Sequence, residues 1–163
     1  MNDYTIASAD AELGALLREA VHDAGAAEGS VMLLSEDGHA LEFVLCESPV
    51  AATLLGMRQP LDKGITGLAF SLQQPMVVND VEHDPVFDRT VQERTRVVTR
   101  SLMVVPLVSP VGEFGALTAV NSNRPNGFNT DDLIGYGEAA RRIVGRLMSL
   151  KLILRAPNDG TFE

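Results

Sequence analysis

The stretch that decides the fold reads Pro60-Leu61-Asp62-Lys63-Gly64-Ile65-Thr66-Gly67-Leu68-Ala69-Phe70 and runs on through Ser71 to Asp80. Two glycines three residues apart, Gly64 and Gly67, predict a tight turn that opens a short helix, because glycine adopts positive φ and lets other atoms approach closely. The first N–H groups of a helix lack intrahelical partners and carry the positive end of its dipole, so this turn can hold an anionic or carbonyl oxygen. The alternative is an ordinary tight loop packed on a sheet.

Size and composition indicate a single globular domain. The 163 residues are 45% hydrophobic and 21% charged, which argues against disorder. The net charge of −9 argues against nucleic acid and anionic membranes as partners, since both attract clustered Lys and Arg. The single cysteine, Cys46, excludes an intrachain disulfide and cysteine-rich metal sites. With no leader and no apolar run near the ~20 residues of a membrane span, we expect a soluble, cytoplasmic protein.

Local patterns in the N-terminal part predict a helix followed by a hairpin. Apolar residues recur at helical spacing over residues 9–24, and Asp10 is placed to cap the start of that helix. Two apolar runs, residues 30–35 and 40–46, flank Asp37-Gly38. Because Asp-Gly between two such runs is the strongest short hairpin signal, we expect two antiparallel strands here.

The C-terminal part predicts a second hairpin and a long helix. Residues 101–108 are almost continuously apolar, which is typical of a strand buried on both faces, and residues 115–121 follow across a turn at 112–114. A final helix is predicted from residue 131 to about 154, with Thr130 as its cap. The remaining short elements are strands near 57–61 and 76–79 and a weak helix over 89–98.

The final helix carries a heptad seam, in which apolar residues follow each other by four and three positions. The members of this seam are Tyr136, Ala140, Ile143, Leu147, Leu150 and Leu154. Further apolar residues widen the stripe, and apolar patches of that extent are rare on monomers, so we expect a homodimer. The residues expected at its interface are Leu13, Leu17, Ile143, Leu147, Leu150 and Leu154.

The element order implies an α+β fold of α/β/α-like layers around a central antiparallel sheet of about six strands. The N- and C-terminal helices would pack on one face, and loops and short helices would form a ligand lid on the other. The segments that support a family assignment are 30–34, 60–69, 75–80, 84–87, 101–107 and 115–121, with Phe128 before the last helix. Over residues 9–155 the chain resembles a GAF domain, and a PAS domain, the nearest rival, would not show the Gly64/Gly67 turn. Residues 1–8 are then expected to be an N-terminal extension and 156–163 a polar tail.

The resemblance implies a function in small-molecule sensing. In the GAF family a pocket between the sheet and the lid binds a ligand, and lid closure shifts the long helices of a dimer. The residues expected to bind the ligand are Thr66, Gly67, Leu68, Ala69, Asn79, Asp80, Thr99, Ser101 and Asn121. Taken singly, each also fits an ordinary turn or strand-end residue whose polar groups are satisfied within the fold.

The sequence departs from several well-known motifs of the family, and these departures argue against several classes of ligand. Cyclic-nucleotide-binding members carry an Asn-Lys pair, whereas Asn79 is followed here by Asp80, which would repel a phosphate. This departure, with a broken Phe-x-x-x-Asp-Glu motif after Phe87, argues against cyclic AMP or GMP. The residues likewise do not match bilin- or haem-binding members, and the acidic loop 80–88 is expected to be solvated rather than to hold a metal ion. The ligand is therefore unknown, and no cofactor is predicted.

The cysteine content bears on an enzymatic function. Free methionine-(R)-sulfoxide reductases, which are GAF-like enzymes, need a nucleophilic and a resolving cysteine, and Cys46, expected to be a small buried thiol, is the single one here. We therefore predict no catalytic residues, and expect a sensory domain of bacterial-type signal transduction that passes ligand binding to a helical dimer interface and on to an output domain or partner protein. The alternative is a dimerisation module without a ligand, and a reductase-like enzyme is the third choice.

Overall fold

Six helices and six strands follow one another along residues 3–152, the part of the chain that the computed structural model describes. The helices are α1 (Asp3–Ala9), α2 (Ala11–Asp23), α3 (Ala51–Leu54), α4 (Gly64–Leu72), α5 (Thr90–Thr95) and α6 (Thr130–Ser149). The strands are β1 (Ala26–Leu34), β2 (Ala40–Glu47), β3 (Arg58–Pro60), β4 (Met76–Val78), β5 (Leu102–Ser109) and β6 (Gly112–Ser122). A 3₁₀ turn at Val81–His83 lies between β4 and α5. None of these helices is both long and apolar enough to cross a lipid bilayer.

The six strands form one antiparallel sheet in the order β3-β2-β1-β6-β5-β4. The two predicted hairpins are its centre: β1 pairs with β2 across a turn in which Gly38 has a φ of 76°, and β5 pairs with β6. The hairpins join where β1 pairs with β6. The second turn is tighter than predicted, because residues 112–114 already belong to β6. The predicted α+β fold with an antiparallel sheet of about six strands is confirmed.

Alternating side chains of the central strands supply two separate cores, one on each face of the sheet. On one face, residues such as Val31, Leu117 and Met103 pack against α2 and α6. On the other face, residues such as Met32 and Val104 pack against α3, α4 and the segment that follows β4. The long helices and the short ones therefore lie on opposite sides of the sheet, as the sequence predicted.

The helix predicted over residues 9–24 corresponds to α2, and a further helix that was not predicted, α1, precedes it across Asp10. The backbone of Asp10 is extended, and its carboxylate accepts a hydrogen bond from the N–H of Leu13 at 2.9 Å, so Asp10 caps α2 as expected. The same carboxylate pairs with the guanidinium of Arg146 on α6, at 2.6 Å between Nη2 and Oδ1. Ala7 of α1 is fully buried. Residues 3–9 are therefore part of the packed domain rather than an extension, and the tail predicted at 156–163 lies outside the described residues.

The start of α6 differs from the prediction by one residue. Asn129, not Thr130, is the cap: its side chain accepts from the N–H of Asp132, and the Asp132 carboxylate accepts from the N–H of Asn129, both at 2.9 Å. This reciprocal pair satisfies two N–H groups that a helix start would otherwise leave without partners.

The predicted dimer interface needs correction. Four of its six residues are at most 1% exposed because they fill the protomer's own core: Leu13, Leu17, Ile143 and Leu147. Leu150 is partly buried against the same core, and Leu154 lies outside the described residues. The heptad seam of α6 therefore packs on the chain's own sheet and α2, and the dimer itself stays a prediction.

Candidate functional site

A cavity of about 90 Å³ lies on the face of the sheet opposite α2 and α6. The strands form its floor, with Glu28, Ser30, Met32, Phe43, Leu102, Thr118 and Val120. The start of α4 and the segment through α5 cover it, with Ile65, Thr66, Phe87, Asp88, Val91, Thr95, Val97 and Thr99. The side wall, next to α3 and β3, is formed by Ser48, Val50, Leu54 and Gln59. A mostly apolar cavity with a few placed polar groups is what small-ligand sites generally look like.

Strand pairing explains how polar side chains come together in an apolar sheet. Ser30 of β1 lies directly opposite Thr118 of β6, and their hydroxyl oxygens are 2.5 Å apart. Glu28 lies two residues before Ser30 and therefore points to the same face, next to Val120. The central strands thus present a carboxylate and two hydroxyl groups to the cavity floor.

The charged groups of the cavity wall are acidic. Glu28 is 8% exposed, and its carboxylate accepts a hydrogen bond from the hydroxyl of Ser48. Asp88 lies at the covering segment, where its Oδ1 accepts from the N–H of Thr90 at 3.1 Å and from the Thr90 hydroxyl at 2.7 Å. The wall contains no Lys, Arg or His among the described residues. The electrostatic potential of the cavity therefore disfavours an anionic ligand.

The glycines of the α4 turn allow close packing. Gly64 has a φ of 79°, and a Cβ there would lie 2.7 Å from Nε2 of Gln59 and 3.1 Å from Cβ of Asp88, two residues of the cavity wall. A Cβ on Gly67 would lie 2.6 Å from the carbonyl oxygen of Leu61. The Gly64/Gly67 pattern thus brings the start of α4 against β3 and the covering segment, which closes the cavity on that side.

The structure brings two of the nine predicted ligand-binding residues to the cavity, Thr66 and Thr99. Gly67, Leu68 and Ala69 follow Thr66 on α4 but do not line the cavity, and Ala69 is fully buried among apolar side chains. The start of α4 therefore contributes the side chains of Ile65 and Thr66 to the cavity rather than a continuous row of backbone donors.

The other predicted residues hold loops in place. Asn79 forms two hydrogen bonds with the backbone of Phe128, donating to its carbonyl at 3.0 Å and accepting from its N–H at 2.8 Å. Asp80 is exposed and pairs with His83, whose pKa it raises through their hydrogen bond. Asn79 thus ties the end of β4 to the loop before α6.

Asn121 and Ser101 perform a similar task at the ends of β6 and β5. The Asn121 side chain accepts from the N–H of Arg100 at 2.7 Å and donates to the carbonyl of Val98 at 2.9 Å, and the Ser101 hydroxyl accepts from the N–H of Ser122 at 2.8 Å. These bonds shape the segment that carries Val97 and Thr99 over the cavity. The two side chains therefore position the cover rather than line the site.

Cys46 lies next to the cavity floor without lining it. It pairs across the strands with Ser30, and burial, followed by the nearby charge of Glu28, raises the pKa of its thiol to about 12. Cys46 is partly buried, whereas a buried thiol was expected. Within residues 3–152, no group of three or more His, Cys, Asp or Glu side chains is placed to hold a metal ion.

Sequence reasoning missed the polar floor of the cavity, Glu28, Ser30 and Thr118. A signal was present, because Glu28 and Ser30 alternate in a segment that continues as an apolar strand, and Thr118 interrupts another apolar run. Polar residues two apart on a buried strand share a face and need partners there.

Comparison with known proteins gives the family. A family model described as "GAF domain" matches residues 7–140, and no curated protein matches the chain. One similar solved structure is the second GAF domain of DevS from Mycobacterium smegmatis, with 18% identity, a TM-score of 0.69, and coverage of 94% of this chain and 99% of that one. Another is residues 122 to 287 of a methyl-accepting chemotaxis protein, with 19% identity, a TM-score of 0.72, and coverage of 87% and 90%.

A third similar structure is an enzyme. The free methionine-R-sulfoxide reductase from Neisseria meningitidis, in complex with its substrate, is 21% identical, with a TM-score of 0.65 and coverage of 91% of this chain and 86% of that one. At these identities the three structures show a shared fold. The Gly64/Gly67 turn and the two hairpins led to the same assignment from the sequence. Because the family model matches most of the sequence, this chain belongs to the GAF domain family.

Proposed function

We propose that this chain is a sensory domain of a signalling protein, which binds a small molecule in the cavity and passes the binding to α6. The observation that carries the proposal is the cavity itself, whose surface is mostly apolar and includes polar groups on the central strands and on the cover. Similar structures include a GAF domain of DevS and part of a methyl-accepting chemotaxis protein, which supports a role in signalling.

A route from the cavity to α6 runs through the middle of the sheet. The side chain of Thr118 lines the cavity, and its backbone carbonyl, on the same residue, accepts a hydrogen bond from the buried hydroxyl of Tyr136 at 2.7 Å. Gly29 on the neighbouring strand has no side chain, which leaves room for Tyr136 to reach that carbonyl. A ligand that shifts β1 or β6 would therefore act directly on the packing of α6.

A homodimer completes the proposal. Because the heptad seam is used inside the protomer, the dimer contact would form on the exposed side of α6, where Ile134 and Met148 are 57% and 47% exposed. We also propose that the chain acts on an output domain or partner protein and lies in the cytoplasm. These two proposals rest, like the sensory role, on the similarity to domains of signalling proteins. A ligand-free dimerisation module is the alternative, and it would leave the cavity without a function.

One similar structure is a methionine sulfoxide reductase, but the properties of Cys46 argue against a reductase function for this chain. Burial raises the pKa of the Cys46 thiol to about 12, so almost none of it is present as the nucleophilic thiolate at pH 7. The sequence has no second cysteine to resolve an oxidised Cys46. We therefore propose that the chain is not an enzyme, and reduction of free methionine sulfoxide by the purified protein with dithiothreitol would contradict this.

Ligand binding can be tested by thermal unfolding in the presence of small amines, amino acids, carboxylic acids, alcohols and nucleotides. A ligand at 100 times its Kd stabilises a protein by about 2.7 kcal/mol, which raises the Tm of a chain of this size by roughly 5–11 °C. Val97→Trp would fill the cavity from its cover, whereas Val98→Trp places the same side chain at an exposed neighbour. We expect Val97→Trp to abolish the shift and Val98→Trp to retain it. If no compound gives a shift that depends on Val97, the sensory proposal fails.

A further inference from the structure

The cavity floor contains a buried carboxylate, Glu28, which has a hydrogen-bond donor but no ion-pair partner among the described residues. Glu28 lies on β1, one of the two central strands, and is 8% exposed. Glutamate is almost never buried unless it is paired, because removing a charged carboxylate from water is costly. A buried glutamate in the middle of a sheet therefore calls for a counter-charge.

The described part of the chain does not supply that counter-charge. The hydroxyl of Ser48 donates a hydrogen bond to Glu28, but a hydroxyl carries no charge. Within residues 5–152, no Lys, Arg or His forms an ion pair with Glu28. Its negative charge is felt by a neighbour, since it contributes to the raised pKa of Cys46.

The remaining wall matches an organic cation. Asp88 adds a second acidic group, and the hydroxyls of Ser30 and Thr118 can accept hydrogen bonds from an N–H donor. Apolar side chains such as Met32 and Phe43 surround these groups, which suits a hydrocarbon body and not a hydrated metal ion. At about 10–15 Å³ for each water-sized sphere, the cavity volume of about 90 Å³ suits a compact molecule.

We propose that the ligand of this domain is a small organic ammonium compound, whose nitrogen pairs with the Glu28 carboxylate and whose apolar body occupies the rest of the cavity. This inference rests on the proposed sensory function and specifies its ligand class. The ammonium group supplies the positive charge that the described residues of the wall lack. Asp88, on the covering segment, adds to the attraction and connects ligand binding to closure of the cover.

Three probes of equal chain length test the proposal: hexylammonium, 1-hexanol and hexanoate, with affinities measured by NMR titration of the whole chain. We expect hexylammonium to bind at least tenfold more tightly than hexanol, and hexanoate to bind most weakly. Glu28→Gln should lower the affinity for hexylammonium at least tenfold and leave that for hexanol unchanged. Glu19→Gln, which removes one negative charge from the exposed surface of α2, should change neither.

The outcomes separate this inference from the sensory proposal. Equal binding of hexylammonium and hexanol, or unchanged hexylammonium binding by Glu28→Gln, would overturn the ammonium assignment while leaving a ligand-binding cavity. Displacement of hexylammonium by millimolar Mg²⁺ or by K⁺, with no effect of added sucrose, would assign the site to an inorganic cation and also overturn it. Should Glu28→Gln not fold, Asp88→Asn must still weaken hexylammonium selectively. Binding of none of the three probes would refute the inference, and the wider compound panel would then decide the sensory role.

Discussion

Gly29 offers a sharp test of how the sheet is packed against α6. The backbone of Gly29 has a conformation that any residue can adopt, so only the space around it is limiting. A Cβ added there would overlap Cγ2 of Val21. It would also lie 2.8 Å from the Tyr136 hydroxyl oxygen and 2.9 Å from the carbonyl oxygen of Thr118. The Thr118 carbonyl belongs to the neighbouring strand β6 and cannot turn away. In Gly29→Ala, α2 and α6 must move outward, and the buried Tyr136–Thr118 hydrogen bond is then lengthened or broken.

The magnitude follows from these contacts. Extra atoms in a well-packed core cost about 1–3 kcal/mol. A buried hydroxyl that loses its acceptor adds about 1–3 kcal/mol. We therefore expect Gly29→Ala to destabilise the protein by about 3 kcal/mol, which corresponds to a Tm roughly 6–12 °C lower for a domain of this size.

Gly14 provides a matched control within α2. A Cβ there would meet no atom within 4 Å. Because alanine is about 0.5–1 kcal/mol more favourable than glycine inside a helix, Gly14→Ala should raise the Tm by roughly 1–4 °C. Thermal unfolding followed by circular dichroism measures both variants. A Gly29→Ala Tm equal to or above that of the unmodified protein would refute the packing described here.

Three further predictions concern stability and reactivity. Asn129→Ala should remove the cap of α6, which is worth about 1 kcal/mol, and so lower the Tm by roughly 2–4 °C. Thr130→Ala should change the Tm little, and equal effects of the two variants would contradict the cap assignment. The hydrogen bond from Arg146 lowers the pKa of Asp10, so the pair stabilises the fold above the unfolded pKa of about 3.9 and this contribution is lost as the pH falls through the lower folded pKa. The stability difference between the unmodified protein and Arg146→Met, measured by urea unfolding, should therefore shrink below pH 4, and a constant difference would indicate packing instead. With a pKa of about 12, Cys46 is almost entirely protonated at pH 8, and the greater nucleophilicity of a more basic thiolate offsets only part of this loss. Cys46 should therefore react with a disulfide reagent on the order of 10²-fold more slowly than free cysteine, and a rate near that of free cysteine would show that the thiol is more exposed than described.

Local chemistry alone determined much of the fold. Asp37-Gly38 between two apolar runs specified the β1–β2 hairpin, and Asp10 specified the start of α2, because a turn and a helix cap each depend on a few neighbouring residues. The Gly64/Gly67 turn also depends on a few neighbouring residues, so it could be recognised in the sequence and support the family assignment. The apolar stripe of α6 was also readable from its spacing, but its partner was not. A stripe shows that a surface is buried and not against what, so Ile143 and Leu147 fitted a dimer interface as well as the protomer core that they occupy.

The cavity was decided by the tertiary structure. Ser30 and Thr118 are 88 positions apart in the sequence, and their contact exists because β1 and β6 pair in one register. A shift of that register by one residue would turn Glu28 and Ser30 away from the cavity and toward α6. Sequence patterns mark a residue as polar or buried from its own neighbours along the chain. Which distant polar groups share one cavity, and with what charge, depends on long-range strand pairing and helix packing, so it became visible only in the folded protein.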